Sequence, residues 1–354
     1  MASSQASRHP LLSDPFSALQ LKINFQVLEY LSLHASLRDV KSAIASSPML
    51  LKTLQSNRQY ILRPHLHELQ LSYGDVSSFQ LAAAAMHLRE LHSKHDGDTV
   101  SVLEKEVGSV LDSMLRLNAK TTEGTGIINL GMAMAAQELL PEITGAFMIP
   151  GPLEDEEAEF QYRSPGSIWP DKAPLGITRA FSDGFLRFDC YRNIFYHNGQ
   201  DLFEERAGIK DTFLNSFPEF PKFDDKILWR YPYMILGRLR HRYEDLMMDV
   251  EWTIRGSRKI VWSKGAWKDV LAGMARIDFR NRTRIEHDYF VHRLMLQGYP
   301  KLAFWEQLSH ETLVSTVEEE FEELVVSNLE APGAWAADKS HYNNLQRHFT
   351  LWRN

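Results

Sequence analysis

A chain of 354 residues with 44% hydrophobic content can bury a large core without a staple, as two domains or as one extended helical body. Its 39 Lys and Arg against 46 Asp and Glu give a formal charge of −7, which argues against nucleic acid or an anionic membrane as the main partner. The single cysteine, Cys190, excludes an intramolecular disulfide and the cysteine-rich zinc modules, and fits a reducing cytoplasmic or nuclear compartment.

Residues 1–13 lack the apolar core of a secretory signal and read as a flexible leader, and no run approaches the roughly 20 apolar residues of a membrane helix. From Pro15 the apolar residues fall at helical spacing, with Ile23, Val27 and Leu31 at i, i+4 and i+8, which predicts one helix with one buried face. Ser36 offers an N-cap for a short second helix through Ser46, and Pro48 stands where a first-turn proline opens a third. Residues 14–56 are thus expected to form a cluster of three helices.

Residues 57–149 read as a first helical half. Pro64 suggests a helix start that points His65 and His67 in different directions. Asp75 can cap a longer helix bearing Leu81, Ala84, Leu88 and Leu91, and Leu103, Val107, Val110, Met114 and Leu117 repeat the pattern after an HDGD break. A further helix from Ile127 to Leu140 is expected to end at Pro141. Over residues 150–174 five prolines and the acidic run Glu154 to Glu159 predict a linker or surface crossover.

Residues 175–354 form an aromatic-rich second half. Phe181, Phe185, Phe188, Tyr191, Phe195 and Tyr196 share one expected helix, Trp229, Tyr231 and Tyr233 open another, and Leu313, Val317, Phe321 and Leu324 stripe an acidic helix that carries Glu318 to Glu320, Glu322 and Glu323. Only Lys259 to Trp262 suggests a short strand pair. The fold class is all-α: a helical cluster followed by an irregular multi-helix body with little or no sheet.

The chemistry-bearing residues give no catalytic assignment. His92 and His95, beside Asp96, have a spacing that can present two imidazoles to a metal, but histidines near a helix C-terminus ordinarily serve structure. Glu286, His287, Asp288 and His292 are similar to the His-Asp pair of HD-type metal phosphohydrolases, a site that needs further ligands from separate helices; His241, Glu244 and Asp245 are the only nominees. A metal-dependent hydrolase using His287 and Asp288 is therefore an alternative reading, while neither a metal nor a cofactor is assigned. Gly124, Gly126 and Gly131 lack the strand and GK[ST] of a phosphate loop. The basic groups around Arg240, Arg258 and Arg282 have acidic neighbours enough for ion pairs, and Cys190 lies in an apolar stretch as an inert thiol.

The segment PFSALQLKINFQVLEYLSLHASLRDVKSAIASSPML resembles the F-box. Leu19, Leu21, Ile23, Val27, Leu28 and Leu31 stand where that family places apolar residues, and Leu37, Val40, Ala43 and the turn Ser46, Ser47, Pro48 continue the pattern. Gln20 replaces the family's proline and Lys22 its acidic residue. The stretches SDGFLRFDCYRNIF and HRLMLQGYPKLAFWEQLS are similar to segments of filamentous-fungal proteins with F-box-like N-termini. The resemblance implies a protein partner, a Skp-type adaptor of a cullin-type ubiquitin ligase, met by Leu19, Ile23, Val27, Leu28, Leu31 and Pro48. The rival expectation is a helical regulatory or scaffold protein without ligase docking, in which Ile23, Val27 and Leu31 all turn inward.

Overall fold

The computed structural model describes residues 14–95, 100–118, 127–148, 175–197, 200–206, 208–216, 239–240, 242–243, 245–246, 279–317 and 319–320. Its class is all-α. The front helices start where the sequence provides caps. Helix α1 (Leu21–His34) leads to α2 (Leu37–Ser46), which opens on a full capping box: Asp39 N–H donates to Ser36 Oγ, and Ser36 N–H donates to Asp39 Oδ2 at 2.9 Å. Helix α3 (Pro48–Tyr73) has Ser47 as N-cap and Pro48 in its first turn, where a missing N–H is harmless. It bends at Asn57 (φ −127°, ψ 20°), whose side-chain amide donates to the Thr53 carbonyl at 3.0 Å.

The body follows with α4 (Val76–Lys94), α5 (Val100–Asn118), α6 (Leu130–Met148) and α7 (Leu175–Phe195). Asp75 caps α4 by accepting from Ser77 and Ser78. After α7 come β1 (Tyr196–His197) and β2 (Gln200–Asp201), an antiparallel pair with Tyr196 opposite Asp201, then α8 (Ile209–Ser216) and α9 (Phe279–Glu306).

Three sequence expectations are corrected. Helix α6 runs through Pro141 to Met148, because Pro141 and Gln137, whose carbonyl loses its helical donor, both face solvent while Ile143 and Ala146 beyond them are buried. Pro64 likewise sits inside α3, with Ile61, Leu62 and Leu69 buried on either side. The short hairpin at Tyr196 lies where the aromatic spacing predicted continued helix. The leader 1–13, the crossover 150–174, Trp229 to Tyr233, Lys259 to Trp262, Phe321 and Leu324 lie outside the described residues.

One core joins the front and both halves, from Leu28 through Tyr73, Phe79, Phe185 and Tyr191 to Trp305 and Val317. Alanines at 82 and 85 let α4 press closely on its neighbours, so that the Cys190 thiol of α7 lies 3.7 Å from the Leu81 carbonyl. Tyr73 donates its hydroxyl to the Ala136 carbonyl at 2.7 Å, fastening α3 to α6.

A buried carboxylate, Asp189, is packed among half-buried charged partners. Arg89 of α4 grips Glu142 of α6 with both terminal nitrogens (2.9 and 2.8 Å) and donates from Nε to Asp189 of α7 at 2.8 Å. Arg192 takes the other Asp189 oxygen at 2.7 Å and donates to the Gln297 carbonyl of α9 at 3.0 Å. Burial raises the Asp189 carboxyl, but the two guanidiniums outweigh it and hold the group below its ordinary value. Next to Gln297, Gly298 adopts φ +74°, and a side chain there would run into Arg192, so glycine is required by conformation and by space.

Candidate partner-binding face

Helix α1 divides lengthwise. Asn24, Leu28 and Ser32 are buried against α2 and α3, while the opposite side carries Ile23, Val27 and Tyr30 at i, i+4 and i+7. Ile23 is 40% exposed, Tyr30 65% and the adjoining Leu33 55%, and His34 lies tilted against Tyr30 with centroids 4.6 Å apart. Leu19 and Leu21 extend the exposed surface at the helix start, and Tyr60 of α3, against Phe25 at 5.3 Å, flanks it. Contiguous apolar surface of this kind, placed on a helix already buried on its other side, is characteristic of interaction sites.

Polar contacts hold that face in place. Asp14 accepts from Phe16 N–H through Oδ1 (2.9 Å) and from Ser47 hydroxyl (2.8 Å) and Met49 N–H (3.2 Å) through Oδ2, which clamps residues 14–20 onto the start of α3. Burial raises this carboxyl, and the three donors more than offset it, leaving it below the usual range. Between α1 and α3, Ser32 donates to the Ile61 carbonyl and His65 donates to the Ser32 carbonyl at 2.7 Å. Arg38 reaches Glu138 of α6 at 2.6 Å. Residues 14–73 hold six Lys or Arg against four Asp or Glu, a positive balance in an acidic chain.

The residues expected to meet a partner are not all alike. Leu19 and Ile23 are exposed, Val27 and Leu31 are half-buried, Pro48 is exposed at the start of α3, and Leu28 is wholly enclosed in the core. Gln20 is the α1 N-cap without a side-chain bond, and Lys22 is exposed. Tyr30, Leu33 and Tyr60 escaped the sequence reading, although Tyr30 continues the spacing from Ile23 and Val27.

The other candidates separate. His92 turns to His197 and His95 to Glu106, so the i, i+3 pair does not converge. His65 serves α1 and His67 is exposed. Among the described residues no group of three or more His, Cys, Asp or Glu could hold a metal ion; the side chains of His241, Glu244, His287, Asp288 and His292 lie outside them. Arg242 pairs with Glu306 at 2.6 Å. Cys190 is fully buried, and desolvation pushes its thiol well above the ordinary value, which makes it a poor nucleophile. No described helix is long and apolar enough to cross a membrane.

No protein-family model, curated protein or solved structure matches this chain.

Proposed function

We propose that the chain is a non-catalytic protein-interaction protein whose α1 face receives a partner, and that this partner is a Skp-type adaptor of a cullin-type ubiquitin ligase. The observation that carries the reading is the outward exposure of Ile23 and Tyr30, with half-buried Val27 between them, on a helix whose other side is sealed by Leu28. The clamp at Asp14 and the polar stitch of Ser32 and His65 preorganise that surface, so little ordering entropy opposes docking. The F-box-like spacing is what favours a Skp-type adaptor as that partner.

Purified chain and Skp-type adaptor should form a complex by calorimetry, and Ile23→Glu with Tyr30→Glu should abolish it with the fold retained. An undiminished affinity in that double variant rules out the α1 face. Absence of any complex with the unaltered chain rules out the ligase assignment and leaves the scaffold reading, which is favoured by Lys22 standing exposed where the F-box has an acidic residue. The hydrolase reading through His287 and Asp288 is tested by metal analysis and phosphoester hydrolysis on washed protein.

A further inference from the structure

The front cluster is short of free acid. Of the charged side chains of residues 14–73, Asp14 and Asp39 are taken by donors at helix starts, and Arg38 by Glu138 of α6. Among the described residues the others form no ion pair: they are five cations, Lys22, Lys41, Lys52, Arg58 and Arg63, and two carboxylates, Glu29 and Glu68.

Two of the cations border the apolar stripe of α1. Lys22 lies one turn before Phe25, the ring that meets Tyr60 at 5.3 Å, so around the helix it stands between Ile23 and Tyr60, and it is exposed. Arg63 follows Tyr60 by one turn of α3 and is exposed beside it. Glu29 is half-buried on the same flank, about two turns from Lys22, and Glu68 lies about two turns past Tyr60. Lys41 stands apart, one turn after Arg38 on the side of α2 that reaches α6.

We infer that the surface received on α1 is apolar at its centre and carries carboxylates at its rim, opposite Lys22 and Arg63, which rests on α1 being the docking face for a Skp-type adaptor. The charge of the whole chain makes that placement selective. Its formal charge is −7 while its front is positive, so an acidic rim is attracted at α1 and repelled by the residues that carry the negative excess. Exposed rim charges act mainly on encounter: they speed association, and the gain fades as salt screens them. The apolar centre, with Leu19, Ile23 and Tyr30, governs how long the complex lasts.

Stopped-flow association of the full chain with a Skp-type adaptor tests this. From about 30 to about 300 mM NaCl the association rate should fall at least about threefold, and at low salt Lys22→Glu should slow it at least about threefold. Lys41→Glu makes the same change in net charge and should slow association by less than about half that factor. Arg63→Glu supplies the test if Lys22→Glu loses its helical circular dichroism. A smaller salt effect, an unchanged or faster rate in the folded rim variant, or an equal loss in Lys41→Glu overturns the acidic rim and leaves the docking face standing. No complex with the unaltered chain at any salt removes the docking face for that adaptor and the rim with it.

Discussion

The front cluster and the body solve the same packing problem with different polar devices. In the front, the bonds that set helix ends are mostly local, as between Ser36 and Asp39, with Asp14 reaching only to Ser47 and Met49. In the body, Arg89, Glu142, Asp189 and Arg192 join four helices through partners 53 to 105 residues apart. A region fastened by its own turns can leave apolar side chains outside, whereas a region fastened by buried charge depends on every partner being present.

The largest expected effect breaks the body. Asp189→Ala leaves two half-buried guanidiniums without their shared partner and should cost about 3–5 kcal/mol in urea unfolding. Leu28→Ala, which opens a cavity at the foot of the front cluster, should cost about 2–4 kcal/mol. A loss near zero at either site would erase the contrast between exposed and sealed residues.

Acid should divide the regions more gently. His92 is depressed in the folded chain, so the unfolded chain takes a proton first and stability falls as pH drops from about 6.5 to about 4, by on the order of 2 kcal/mol after allowance for partial exposure. Asp14 and Asp39 are depressed carboxylates, so the stability they give the front is present above about pH 4 and lost only below it. Asp183 and Asp201, raised by burial, pull the other way within the body. Helix-resolved exchange across this range should show the end of α4 loosening before α2; the reverse order would contradict this ordering of the titrations.

Smaller still, Ser36→Ala should cost about 1 kcal/mol through the lost α2 cap. Ile23→Ser should change stability by under about 0.5 kcal/mol, because the side chain is already solvated, yet weaken partner binding. A large destabilisation by Ile23→Ser would show that the exposed stripe supports the fold.

Legibility in the sequence follows the same division. Ser36, Pro48 and Asp75 announce helix starts because a cap acts within three residues, and the spacing of Ile23 and Val27 runs along the outward stripe. Pro141 misled because a proline ends a helix only where burial beyond it does not compensate, and Ile143 and Ala146 do compensate here. The spacing from Phe181 to Phe195 correctly marked a helix, but nothing in it distinguishes one more helical turn from the hairpin at Tyr196. His92 was visible as a helix-end histidine, while His197 was not visible as its neighbour, since contacts across 105 residues leave no periodic trace.

Helix α3 belongs to both regions. Its first and middle turns, through Tyr60, Ile61 and His65, wall the front cluster, and its last turns pack on α6 and α7, so 26 residues span about 39 Å as one bent rod. There is no slack tether between the two. A molecule seated on α1 would see the body at a set bearing and a set reach, because α1 is bonded to Ile61 and His65 of the same rod, and that seating governs what the two ends can touch at the same time.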